Sequence, residues 1–231
     1  MLIGALGDIH GAFDTVQTIM QRHPDVPFWV SVGDVASNDG EYFQPAAPLY
    51  WIKGNNEDFD VIAEAIAGRS PATNLHYLAN GGPYDVGPWR VAALGGTFAP
   101  SWYNTPAALL PPSRGRKLSA PTLKLGKSRD DKRRHFVRDE VVACKALGNI
   151  DVLLTHEAPR PFYPANRRID AGKTVLNDVL AAMKPRLHLF GHHHEFTDSV
   201  RQGVRSIGLD IVTNSYLLID AQTFRTDRRD A

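Results

Sequence analysis

Apolar residues along this 231-residue chain fall into short runs, each closed by glycine or a polar cluster, and the runs alternate with segments of helical periodicity. Residues 2–6 read as a buried strand, and 12–22 follow as a helix with Val16, Ile19 and Met20 on one face. Strands over 28–32 and 49–52 come next, then a helix over 58–67 whose Val61, Ile62, Ala65 and Ile66 turn inward. The middle is strand-rich: 75–78, a turn through Gly81, Gly82 and Pro83, a hairpin across Val86 and Gly87-Pro88, and a strand over 90–94. After an unpatterned stretch, a helix over 136–147 carries Val137, Val141 and Cys144 inside. A strand over 151–154, a loop over 157–172, a helix over 174–183 and a strand over 186–190 follow. Segments 196–200, 204–209 and 216–219 read as a closing antiparallel meander, and the charged tail beyond them as a fraying end. Such alternation predicts a mixed α/β architecture.

A chain of this length buries roughly 70% of its surface around one core. No interdomain linker breaks the pattern, so one domain over 1–231 is expected, with an insertion at about 97–135. The lone Cys144 excludes a disulfide framework and a four-Cys zinc module. Apolar runs are far shorter than the roughly 20 residues of a membrane span. The first ten residues have no basic n-region, and a reducing, cytoplasmic setting without membrane or obligate protein partners is the expectation. Two figures ask for a cause: nine His against one Cys, and a net charge of only +1.

Five polar motifs each follow a predicted strand: Gly7-Asp8-Ile9-His10-Gly11, Gly33-Asp34, Gly54-Asn55-Asn56-Glu57, Thr155-His156 and Gly191-His192-His193-His194. Taken singly, each has an ordinary explanation as a turn, a helix cap or a structural histidine. Together they matter more, because functional groups in open α/β sheets gather at the carboxyl ends of strands. Their oxygen and imidazole donors, without thiolate, suit divalent manganese, iron, nickel or zinc. The i, i+2 spacing of Asp8 with His10 and of His192 with His194 lets both members of each pair face one side of an extended segment.

In order and spacing these motifs resemble the calcineurin-like metallophosphoesterase family, whose pattern runs Asp-x-His, Gly-Asp, Gly-Asn-His-(Asp/Glu), His, Gly-His-x-His. The resemblance spans residues 7–194 and implies a four-layer sandwich of two β-sheets flanked by helices. It also implies that Asp8, His10 and His194 bind one metal, that Asn55, His156 and His192 bind the other, and that Asp34 bridges them. Two ions so held clamp a phosphate and acidify a bound water, giving a hydroxide nucleophile. Manganese is the first expectation for both ions.

The sequence departs from the family where Asn56 replaces the motif histidine, which is usually credited with helping to protonate the leaving oxygen. Asn56 can donate a hydrogen bond but cannot deliver a proton. The expectation is therefore a phosphodiesterase with Asp34, Asn56 and His193 as catalytic candidates, His193 either supplying a proton from the other side or simply solvated. The alternatives are a broad phosphomonoesterase and a noncatalytic scaffold. No Arg follows Gly33-Asp34, unlike the protein phosphatases of this superfamily, while Asn74 to Leu78, Trp89 to Phe98 and Thr155 to Pro159 look more like the RNA lariat debranching branch.

The unpatterned stretch accounts for the charge. Between Arg114 and Arg138 stand ten basic residues against Asp130 and Asp131, so the remainder of the chain is net acidic. A basic lid with Trp102 and Tyr103 at its start suits a phosphate backbone and stacked bases, such as RNA or DNA. Asn56, Trp102, Tyr103, Arg114, Arg116 and Lys117 are the candidate substrate contacts.

Overall fold

The computed structural model describes residues 1–112, 130–165 and 168–231. Its strands in chain order begin with β1 (Leu2–Leu6), β2 (Trp29–Ser31), β3 (Leu49–Trp51) and β4 (Leu75–Tyr77). They continue with β5 (Gly81–Val86), β6 (Trp89–Leu94), β7 (Val152–Thr155) and β8 (Leu187–Phe190), and close with β9 (Thr197–Arg201), β10 (Val204–Gly208), β11 (Ser215–Asp220) and β12 (Thr226–Asp230). The helices are α1 (Phe13–Arg22), α2 (Phe59–Ile66), α3 (Arg138–Lys145) and α4 (Thr174–Met183). One six-stranded sheet has the order β12-β11-β1-β2-β3-β4, the other β5-β6-β7-β8-β10-β9. Strands β1 to β4 run parallel, as do β6, β7, β8 and β10, and antiparallel strands close every edge except that of β4.

The period of two along each strand divides its residues between two cores. Ile3, Ala5 and Val30 of the first sheet meet Val91, Ala93, Val152, Leu154, Leu187, Leu189 and Ile207 of the second. Leu6, Trp29 and Trp51 point the other way, onto Val16, Ile19 and Met20 of α1 and Phe59 and Ile62 of α2. On the second sheet Ala92, Leu94 and Leu153 likewise meet Val141 and Cys144 of α3 and Leu176, Val179 and Leu180 of α4. The result is the expected mixed α/β sandwich, helices outside and two sheets within.

Four local expectations are corrected. Gly81-Gly82-Pro83 lies inside β5 and makes no turn, the irregularity between Gly81 and Tyr84 and the edge position accommodating a residue without an N–H. Ile66 is 63% exposed, since it ends an eight-residue helix that buries Phe59 and Ile62. The closing segments are no single meander: β9 and β10 pair in the second sheet while β11 crosses to β1 in the first. The charged tail pairs as β12 along β11, where Arg228 donates from Nε to Ser215 Oγ (3.1 Å) and lies 4.4 Å from the Phe196 ring. Charged side chains suit that position, because they keep a sheet edge from recruiting further strands.

Candidate metal centre

Parallel strands β1, β2 and β3 of one sheet and β7 and β8 of the other end on the same side, and each hands the chain to one of the five motifs. The turns are sharp. His10 (φ 48°), Asp34 (φ 51°), His192 (φ 72°) and His194 (φ 53°) all occupy the left-handed region, which is uncommon for residues other than glycine and concentrates at functional sites. Two glycines make room. A Cβ on Gly54 would lie 2.0 Å from Asp34 Oδ1, and one on Gly191 2.3 Å from Asp8 Oδ1.

Two groups of donors share Asp8. Asp8, His10 and His194 converge on one side, Asp8, Asp34 and His156 on the other, the ligand atoms of each group lying within 4.8 Å of one another. His194 Nε2 is 2.9 Å from Asp8 Oδ2 and 3.1 Å from His10 Nε2. Asp34 Oδ2 stands between the two sides, 3.6 Å from His10 Nε2 and 3.7 Å from His156 Nε2. Asn55 Oδ1 is 3.2 Å from His156 Nε2. Atoms sharing one ion at bonds of about 2.1 Å stand roughly 3 Å or more apart, so this convergence of carboxylate, amide and imidazole donors fits divalent ions.

Backbone groups hold these donors from behind. His156 Nδ1 lies 2.9 Å from the Val32 carbonyl, which can only accept, so Nδ1 carries a proton and Nε2 is the ring atom turned toward Asn55 and Asp34. The His192 N–H donates to both Asp8 oxygens (3.1 Å each), and the Asn56 N–H to Asp34 Oδ1 (2.6 Å). The His192 ring itself stands 4.8 Å from that of His156 and groups with Glu157 and His193.

Burial acts to raise the Asp8 carboxyl, but the charge of His156 and the hydrogen bond from His194 outweigh it, and its pKa is lowered. The hydrogen bond to Asp8 in turn raises His194. For His156, burial lowers the pKa while Asp34 and Asp8 prevail and raise it. Burial, then neighbouring His156 and His193, drives His192 down to about 2, leaving its imidazole in the neutral form that metals bind.

Sequence reasoning passed over the supports. Glu57 is 5% exposed and accepts from Val35 N (3.0 Å), Ala36 N (3.2 Å), Gly54 N (3.3 Å) and Tyr42 Oη (2.9 Å), tying the Asp34 turn to the Asn55 turn. Burial and the Asp34 charge push its carboxyl up to about 8 against the pull of these donors. Beneath His156, the buried His188 spans Thr155 Oγ1 (2.9 Å) and Ser206 Oγ (3.1 Å). Its place in the apolar run Leu187–Phe190 hid it, whereas Glu57 was visible only as the last letter of its motif.

Of the remaining candidates, Asn56 joins the centre, its Nδ2 3.4 Å from His10 Nδ1. His193 stacks on Phe162, ring centroids 4.7 Å apart. Tyr103 packs edge-on against Phe98 (5.2 Å) with the Arg138 guanidinium 5.5 Å from its ring, and Trp102 is half-buried in the adjoining turn. Arg114, Arg116 and Lys117 lie outside the described residues. The far end of the insertion is no free basic lid, since Arg133 is forked to Asp131 and Asp60.

Similarity to known proteins agrees with this geometry. The chain is 26% identical over 211 residues to the lariat debranching enzyme of Schizosaccharomyces pombe, an alignment covering 82% of this chain but only 42% of that longer protein. The protein TT1561 of Thermus thermophilus shares the fold at a TM-score of 0.67 with 13% identity, covering 99% of this chain and 98% of that one. A dimetal phosphatase from Danio rerio does so at 0.61 with 11% identity, covering 100% and 95%. Among the described residues no helix is long and apolar enough to cross a membrane. Residues 1–196 match the calcineurin-like phosphoesterases, and the chain belongs to that family.

Proposed function

We propose that this protein is a dimetal phosphodiesterase acting on nucleotides or nucleic acid, with Asp8, His10 and His194 on one ion, Asn55, His156 and His192 on the other, and Asp34 between them. The observation that carries the reading is the position of Asp34 Oδ2, nearly equidistant from His10 Nε2 and His156 Nε2. Two divalent ions, manganese first, supply Lewis acidity that polarises a phosphate and lowers the pKa of water. The chain supplies the rest. Its buried carboxylates fix negative charge at the centre, Val32 O orients His156, and the Asn56 amide at the rim offers a hydrogen bond to a phosphoryl oxygen without a transferable proton. That deficit favours substrates whose leaving group departs without a proton, aryl diesters ahead of alkyl monoesters.

Support for a polynucleotide comes from the basic composition of 114–138 and from the likeness to a debranching enzyme. Turnover of bis(4-nitrophenyl) phosphate beside an alkyl phosphomonoester, each with manganese, iron, nickel and zinc, tests the preference, and faster monoester cleavage overturns it. Affinity for single-stranded RNA should fall steeply between about 50 and 200 mM salt if the basic segment engages phosphates, a flat response removing that part.

A further inference from the structure

Lys53 is a charged side chain that the metal centre does not use. It is only 8% exposed, although lysine is almost never buried without partners. Its Nζ donates to the carbonyls of Arg133 (2.9 Å) and His135 (3.0 Å) at the far base of the insertion. Its own carbonyl accepts from Gly96 N (2.7 Å), just past the end of β6 in the other sheet. The next residues are Gly54, Asn55 and Asn56.

The same insertion base grips the chain again beyond that turn. Arg133 donates from Nη1 to Phe59 O (3.3 Å) and from Nη2 to Asp60 Oδ1 (2.8 Å), while Asp131 fixes the guanidinium through Nε (2.9 Å) and Nη2 (2.6 Å). Segment 131–135 is fastened to the second sheet by Thr97, whose N–H donates to Arg134 O (3.0 Å) and whose carbonyl accepts from Phe136 N (3.1 Å). The turn that carries Asn55 therefore comes from the first sheet but is braced, before and after, by a strap anchored on the second. The second sheet also supplies His156, the side chain that Asn55 faces.

We propose that Lys53 is a positioning residue: by drawing the Asn55 turn onto the 131–135 strap, it sets the reach of Asn55 toward His156 across the two sheets. This rests on the reading of Asn55 as a ligand. Replacing Lys53 with Met keeps the aliphatic stem but leaves two half-buried carbonyls without that donor, so the turn should draw back from the strap.

The test compares Lys53→Met, Asn55→Ala and, as a control far from the centre, Arg205→Met, titrating each metal-free protein with Mn²⁺ alone by calorimetry. Lys53→Met and Asn55→Ala should both weaken one of the two Mn²⁺ binding events by about 10- to 100-fold. Arg205→Met should lower the melting temperature and leave both events intact. At saturating Mn²⁺, Lys53→Met should lower kcat for bis(4-nitrophenyl) phosphate with KM nearly unchanged. A Lys53→Met protein that melts earlier yet binds Mn²⁺ normally, while Asn55→Ala does not, overturns the positioning role alone. Normal Mn²⁺ binding by Asn55→Ala overturns the ligand assignment and the proposal with it.

Discussion

On the inner side of the centre, Asp8, Asp34 and His156 are between 0 and 2% exposed, and each is held by a backbone group: His192 N, Asn56 N and Val32 O respectively. On the outer side the side chains of His10 and His194 are 26% and 41% exposed, and they lean on each other and on side chains, Asp8 beside His194 and Asn56 and Asp34 beside His10. One donor set is thus assembled in two ways. Where sheets and turns exclude water, ligand geometry is fixed before an ion arrives and Coulombic attraction is weakly screened. Where solvent reaches the imidazoles, the ion competes with water and side-chain order is lost more easily. On the proposed pairing of ions, the difference predicts a firmly held inner ion and an exchangeable outer one.

Asp34 is the residue through which that distinction can be broken outright, because it touches both sides. Asp34→Asn removes the shared charge and should lower Mn²⁺-supported diester hydrolysis by about 10³-fold or more, with near-normal far-ultraviolet circular dichroism. Full activity in this variant would refute the paired-ion arrangement.

Metal content sharpens the comparison next. After gel filtration without added metal, His194→Ala should retain about one Mn²⁺ per chain by mass spectrometry, the inner one, and melt close to the unsubstituted protein. His156→Ala should lose inner-site metal and also about 2 kcal/mol or more of stability, since it empties a fully buried position and orphans the Val32 carbonyl. Equal metal loss and equal melting temperatures in the two variants would show that the sides do not differ.

A dry inner side also predicts acid sensitivity. Burial lowers the His188 pKa from an ordinary 6.5 to about 3, so between these values the unfolded chain binds a proton that the folded chain refuses. This contribution to stability is present above pH 6.5 and drains away as pH falls, at up to about 1.4 kcal/mol per pH unit. Denaturant titrations from about pH 6.5 to 4 should show a shallower slope in His188→Gln. An identical slope would mean that His188 does not hold its neutral form.

Much of this was legible in the chain. The strand-end motifs showed themselves because a short apolar run that stops at a glycine and a ligand-type residue is uncommon as a turn and rarer still five times over. Hidden from sequence were features that depend on what lies opposite. His188 alternates with Leu187 and Leu189 as any strand residue would, and Lys53 beside Gly54 resembles a solvated strand end until the insertion base is brought onto it. The tail 226–230 lacks apolar periodicity and becomes a strand because β11 offers it a free edge. The left-handed turns at His10, Asp34, His192 and His194 leave no mark in composition, their residue types being dictated by the metal chemistry and their backbone by the packing around them.

The smallest expected effect isolates the support of the inner side from the donors themselves. Tyr42 donates from its hydroxyl to Glu57 Oε2 (2.9 Å) and accepts from Asp58 N (3.3 Å). In Tyr42→Phe, Glu57 keeps its backbone donors from Val35, Ala36 and Gly54, and the Asp34 and Asn55 turns stay joined. Only the phenolic bond and the satisfaction of one N–H are lost, which should cost about 1 kcal/mol in urea unfolding. Both Mn²⁺ ions should remain through gel filtration. If the inner ion is lost, the backbone donors alone do not hold the inner side, and its rigidity depends on a side chain reaching in from the loop before β3.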